Sequence, residues 1–151
     1  MITNIYLGAD HAGFHLKNSL LEHLQMQGAG VIDLGAHALD PHDDYPLIAK
    51  QVASRVAAEP GSIGVLCCGN AEGVCIAANK FDGVRAGIGY SIEATESMRE
   101  EDHVNVLCLP GRTPTQDDPL AILDAFLEAE PQAEDRYERR LGQISGFEQE
   151  N

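Results

Sequence analysis

The 151-residue chain carries ten basic residues against twenty-four acidic ones, a formal net charge of −14. That balance argues against nucleic acid and anionic membrane surfaces as partners, and it makes any anionic ligand depend on a local basic cluster. With 44% hydrophobic and 23% charged residues and no apolar run of membrane-spanning length, one globular domain over residues 1–151, working in the cytoplasm, is expected.

In chain order, residues 3–8 read as a first strand, followed by the loop Gly8-Ala9-Asp10-His11-Ala12-Gly13. Leu16, Leu20 and Leu24 recur every four residues and predict an amphipathic helix that stops at Gly28. Residues 31–34 form a second short strand, and residues 35–44 a polar loop. A helix follows with Asp44 as N-cap, Pro46 in its first turn and Ile48, Val52 and Val56 on its core face, stopped by Pro60-Gly61.

The stretch from 62 to 89 is the most informative. An apolar run over 63–67 predicts a buried strand, and Cys68-Gly69-Asn70-Ala71-Glu72-Gly73 a loop of small side chains. A short helix over 74–79 and a fourth strand over 84–88 follow. Strand, glycine loop and helix N-terminus together present free backbone N–H groups to an anion. Residues 91–101 then predict a helix, 105–109 a fifth strand, and Asp118-Pro119 the start of a helix through Leu127. In the charged tail over 133–151, Tyr137, Leu141, Ile144 and Phe147 share one helical face, which predicts a helix packing on a second subunit.

Alternating strands and helices predict a three-layer α/β/α sandwich around a five-stranded parallel, Rossmann-like sheet. Ligands of such sheets bind beyond the carboxyl ends of the strands, where strand order reverses. An order of 2-1-3-4-5 puts that point between the first and third strands, where the Asp10-His11 loop and the Cys68 loop meet.

Several motifs are excluded. Gly8 to Gly13 has P-loop glycine spacing but continues Phe14-His15, and Gly87-Ile88-Gly89 lacks the third glycine of a dinucleotide site. A cysteine phosphatase would need arginine where Val74 stands. The four cysteines fit neither a zinc nor a redox spacing, and Cys67, Cys75 and Cys108 read as buried free thiols. On residue chemistry alone, Cys68 reads either as a structural thiol or as a reactive one. Asp10-His11 reads as a helix cap with a surface histidine or as a functional pair. Arg136, Arg139 and Arg140 read as a solvated face paired with Asp135 and Glu138, or as an anion site.

Taken together, these segments resemble the ribose-5-phosphate isomerase type B family, which includes the allose- and galactose-6-phosphate isomerases. The resemblance covers nearly the whole length. It rests on Gly8-Ala9-Asp10-His11-Ala12-Gly13-Phe14 with Lys17, Asp44-Tyr45-Pro46, Cys68-Gly69 and Gly73 leading to Ile76-Ala77-Ala78-Asn79-Lys80, Asn105-Val106-Leu107, and Arg136 with Arg140. It implies homodimers with sites shared between subunits, some of them pairing into tetramers, and a reaction without metal or cofactor. The implied reaction interconverts ribose 5-phosphate and ribulose 5-phosphate through an enediolate.

By the same resemblance, Cys68 is the C2/C1 base, Asn70 and the amides of residues 69–73 (Gly69, Ala71 and Gly73 among them) form the anion hole, and Asp10 handles hydroxyl protons. His11, Arg136 and Arg140 contact the phosphate, with Arg112 an addition, and Tyr45, Asp102 and His103 line the substrate. The chain departs from the family pattern where Asn70-Ala71 replaces Thr-Gly, where Tyr137 replaces a histidine between the arginines, and where Glu101-Asp102 replaces a ring-opening His-Asn pair. Glu101 is expected to open the ring, with His103 and Asp10 as the competing assignments. Two other readings stand beside this one: an isomerase of another aldose phosphate, such as allose 6-phosphate, and a catalytically silent sugar-phosphate-binding protein.

Overall fold

The computed structural model describes residues 1–150; Asn151, the last residue of the predicted tail, lies outside the described residues. Five strands alternate with helices: β1 (Ile5–Ala9), α1 (Phe14–Met26), β2 (Val31–Asp33), α2 (Tyr45–Ala58), β3 (Ile63–Cys68), α3 (Glu72–Ala78), β4 (Ala86–Ile88), α4 (Ile92–Glu101), β5 (Val106–Pro110), α5 (Pro119–Glu128) and α6 (Asp135–Glu150). All strand pairings are parallel, in the order β2-β1-β3-β5-β4. The expected 2-1-3-4-5 order therefore holds as far as β3 and is reversed at the far edge. Burial explains the exchange. Every residue of β5 is buried, which requires neighbours on both sides, whereas the three residues of β4 are half-buried, as an edge strand can be.

Because strand side chains alternate between faces, the sheet sorts its apolar residues into two cores. Leu7, Val65, Cys67, Leu107 and Leu109 pack with Leu20 and Leu24 of α1 and with Ile122, Leu123 and Phe126 of α5. On the opposite face Tyr6, Leu66, Cys68, Val106 and Cys108 pack with Val52 and Val56 of α2 and with Val74 and Ala78 of α3. Lys17 is fully buried on α1 and is held by Asp33 at the end of β2, Nζ to Oδ2 2.7 Å. That pair ties the first helix to the edge of the sheet next to the site.

Two helix starts follow the sequence closely. Asp118 accepts from the Leu120 N–H with Pro119 in the first turn, and the Ser91 side chain accepts from the Ala94 N–H. Asp44 precedes α2 as expected, but its side chain makes no capping bond. Cys75 is half-buried, not buried, because its thiol lies at the open side of α3, bonded to the Ala86 carbonyl at 3.4 Å. In α6, Tyr137 and Leu141 are buried within the chain, while Ile144 and Phe147 on the same stripe are 44% and 62% exposed. Among the described residues, no helix is long and apolar enough to cross a membrane.

Candidate active site

Strand order reverses between β1 and β3, and their carboxyl ends deliver Asp10 and Cys68 to adjoining loops. The approach is close. A Cβ on Gly13 would meet the Cys67 backbone at 2.4 Å, and one on Gly111 would meet the Ala12 carbonyl oxygen at 2.4 Å. Only glycine lets the three loops after β1, β3 and β5 touch. The β5 loop is laced to the β3 loop by Gly111 N–H to the Cys68 carbonyl (2.7 Å) and Arg112 N–H to the Gly69 carbonyl (2.9 Å).

Cys68 and Cys67 lie on opposite faces of β3. Burial pushes the Cys67 thiol pKa far up and keeps it protonated. Cys68 ends the strand at the loop mouth, its Sγ 3.9 Å from Asn70 Oδ1. With the amide oxygen of Asn70 turned to the thiol, its NH2 group is the end available to a ligand.

Ala71 adopts a left-handed conformation (φ 70°, ψ −22°) that turns the chain into α3. Among the described residues, the backbone N–H groups of residues 70–74 have no protein acceptor. The loop is thus a set of oriented, unspent donors beside a thiol, which is what a developing oxyanion requires. Tyr45, at the start of α2, closes one side: a Cβ on Gly73 would meet its ring at 2.8 Å.

Asp10 is 5% exposed, and its Oδ1 accepts the N–H groups of Ala12 (2.9 Å) and Gly13 (3.0 Å), which pins the carboxylate at the start of α1. Its Oδ2 has no hydrogen bond from the described residues and is left for a ligand. His11 is held by Asp43, which accepts its backbone N–H at 2.9 Å and approaches its Nδ1 at 2.6 Å. Asp10, His11 and Asp43 bring donor atoms within 4.8 Å of one another, a grouping that could hold a cation. Arg112 is exposed, forms no ion pair among the described residues, and lies 3.7 Å (Cδ) from where a Gly69 Cβ would be. Asp43 is the site residue that the sequence reading passed over. The only signal was a second aspartate before Asp44, and a cap needs just one.

The remaining expected residues are elsewhere in the chain. α4 runs back from the end of β4, so Glu101, Asp102 and His103 arrive where β4 and β5 begin. There the Arg85 guanidinium donates to the Asp102 and His103 carbonyl oxygens at 3.0–3.1 Å. Gln132 N–H donates to the Glu100 carbonyl (2.9 Å) and brings the start of α6 to the same end. Arg136 there pairs with Glu134 at 3.0 Å. Its pKa is raised mainly by the bond to the Tyr137 hydroxyl, with Glu134 and Glu101 adding to the effect. Arg140 is exposed one turn further on. The six residues of β3 separate this cluster from Cys68 by about 17 Å. One chain therefore assembles Cys68, Asn70, Asp10, His11, Tyr45 and Arg112, and carries Glu101, Asp102, His103, Arg136 and Arg140 at its opposite end.

Parallel strands, two-sided helical cover and a donor-lined thiol loop at the switch point define an α/β protein whose site pairs a thiol with an anion-binding cradle. Residues 5–144 match the model of the ribose/galactose isomerase family, and the chain belongs to that family. It is 40% identical over 146 residues to a probable ribose-5-phosphate isomerase B of Mycoplasma pneumoniae, covering 97% of this chain and 95% of that one. It is 38% identical over 144 residues to ribose-5-phosphate isomerase B of Mycobacterium leprae, covering 95% and 89%. The crystal structure of ribose-5-phosphate isomerase B from Mycoplasma genitalium with bound ribulose-5-phosphate superposes with a TM-score of 0.93 at 38% identity, covering 100% of both chains.

Proposed function

We propose that this chain is an aldose–ketose isomerase that interconverts ribose 5-phosphate and ribulose 5-phosphate in the cytoplasm, as a homodimer whose sites are shared between subunits. The observation that carries the reading is the row of unspent amides at residues 70–74 beside Cys68, at the point where Asp10 also arrives. A protein that only bound a sugar phosphate would have no use for a base placed against an oxyanion cradle.

In the open-chain aldose, the Cys68 thiolate removes the C2 proton. The electron pair forms the C1–C2 double bond, and the C1 carbonyl oxygen becomes the enediolate oxyanion. Amides 70–74 and the Asn70 side-chain NH2 hold that charge, and Gly69, Ala71 and Gly73 keep the cradle free of side-chain bulk. Asp10 Oδ2 carries the hydroxyl proton from O2 to O1, and Cys68 returns its proton to C1 to give the ketose. His11 and Arg112 meet the anionic end of the substrate from the Cys68 side, with the Tyr45 ring as a wall.

A second copy would bring its opposite end across this opening and add Arg136 and Arg140, four residues apart on one helix face, to the phosphate. Its Glu101 would then open the furanose ring. Glu101 is favoured over His103 because His103 already donates its ring N–H to the Gln132 carbonyl at 3.0 Å. Asp102 and His103 would border the sugar through their loop.

The test is proton exchange with solvent deuterium at C1 and C2, followed by NMR on ribose 5-phosphate and allose 6-phosphate. The expected result is rapid exchange and net turnover with ribose 5-phosphate. Cys68→Ala should lose at least about 1,000-fold in kcat while still binding inorganic phosphate. Retained exchange in Cys68→Ala removes the thiol from the mechanism, and preference for the six-carbon sugar reassigns the substrate.

A further inference from the structure

Resting on the reading of His11 as a phosphate contact, we propose that Asp43 is a positioning residue for that contact. It fixes which ring nitrogen of His11 carries the proton and which one faces the substrate. Asp43 lies in the β2–α2 loop, thirty-two residues from its partner, and is 17% exposed. A single oxygen, Oδ1, takes both the backbone N–H and the ring Nδ1 of His11, at 2.9 and 2.6 Å. The other oxygen, Oδ2, is buried and has no hydrogen-bond partner. The side chain therefore spends all its hydrogen bonds on His11 and none on its own loop. A carboxylate kept only to build the fold would be expected to cap a helix or brace a turn, as Asp33 and Asp118 do in this chain.

The consequence for the histidine follows from donor and acceptor rules. An ionised carboxylate can only accept, so Nδ1 must carry a hydrogen. The ring cannot turn over without losing the bond, and the second bond, to the His11 backbone, removes the freedom to swing away. Nε2 is left as the ring nitrogen with no hydrogen-bond partner among the described residues.

The start of the loop that carries Asp43 is anchored to β1 and, through Asp33, to α1. The Ala9 N–H donates to the Gly35 carbonyl and the Ala36 N–H to the Ala9 carbonyl, both at 2.8 Å. Asp33, held by buried Lys17, accepts the Gly35 N–H at 2.9 Å. Next to Asp43 the loop closes in a turn, with the Asp43 N–H donating to the Asp40 carbonyl at 3.2 Å and the His42 N–H to Asp40 Oδ1 at 3.0 Å, which helps a supporting residue hold an orientation.

The experiment reads the His11 ring by 15N NMR in the parent, Asp43→Asn and Asp43→Ala, together with steady-state kinetics and competition by inorganic phosphate. In the parent, the Nδ1–H form is expected. Asp43→Ala should shift the ring toward Nε2–H, raise KM by about 10-fold or more and change kcat less than about threefold, because a lost bond to a charged group weakens binding on that scale. Asp43→Asn keeps an acceptor and should retain the tautomer with an intermediate KM.

An Nε2–H ring in the parent overturns the proposal, as does an unmoved tautomer in Asp43→Ala or a moved tautomer with unchanged KM. His11→Ala separates this from the parent reading. If His11→Ala still binds phosphate normally, His11 is not a phosphate contact. If His11→Ala loses phosphate while Asp43→Ala keeps it, only the role of Asp43 fails.

Discussion

Cys67 and Cys68 are neighbours with opposite fates, and strand geometry separates them. Cys67 packs among Leu7, Leu20 and Leu109 with its thiol held protonated by burial, whereas Cys68 ends the strand beside unspent amides. Cys67→Ala is expected to cost about 1–2 kcal/mol of stability and leave kcat within about twofold, checked by urea unfolding alongside the isomerase assay. Ala71 is the second informative residue. Its left-handed backbone costs a non-glycine residue about 1 kcal/mol. Glycine would relieve that cost but forfeit a buried methyl group and add freedom to the unfolded chain. The net change in Ala71→Gly is expected to lie within about 0.5 kcal/mol of zero, whereas Ala71→Val, branched and strained, should lose about 2 kcal/mol or more along with activity. A clear stabilisation in Ala71→Val by chemical unfolding would contradict the left-handed turn on which the anion cradle depends.

At the scale of elements, the sheet was legible because each strand is a short apolar run and each helix has a marked start or stop. Asp118-Pro119 and Ser91 are examples, and each side chain caps its helix, whereas Asp44, the residue read as an N-cap, makes no capping bond. The swap of β4 and β5 was not legible. Two short apolar segments compete for one edge, and the winner is decided by which face needs cover, a tertiary matter that local pattern does not encode. The His11–Asp43 contact was hidden for a similar reason, since it joins two loops across thirty-two residues with no periodicity between them.

The end of α2 also carries a long-range link with a pH signature. The Tyr6 hydroxyl and Asn4 side chain donate to Glu59, and the Tyr6 bond is the main reason the Glu59 pKa lies below the usual glutamate value. A depressed carboxyl pKa stabilises the fold when ionised, so this contribution is fully present above the unfolded-state pKa and disappears as pH falls through the folded value. Tyr6→Phe should therefore lower Tm at neutral pH, with the gap to the parent closing below about pH 4.3. A gap that persists unchanged into strong acid would mean that Tyr6 stabilises by packing alone.

At the scale of the whole molecule, the residues singled out in the sequence fall into two groups at opposite ends of the sheet. Residue spacing alone could not reveal this, because a motif states which residues act and not from which chain; only the family resemblance implied shared sites. Cys68, Asp10, His11 and Arg112 follow the strands, while Glu101, Arg136 and Arg140 sit where the strands begin, about 17 Å away along β3. The partly bare stripe of α6, with Ile144 and Phe147 exposed, also suits a second copy.

The central claim is that each site combines the thiol end of one chain with the arginine end of another, and mixed dimers test it most directly. Cys68→Ala and Arg140→Ala should each be nearly inactive alone. Unfolded and refolded together in equal amounts, half of the dimers will be mixed, and each mixed dimer will rebuild one intact site out of two. The account predicts that activity returns to about a quarter of the parent level. Activity that stays at the level of the separate variants, with mixed dimers verified by mass spectrometry, would place the whole site within one chain and contradict it.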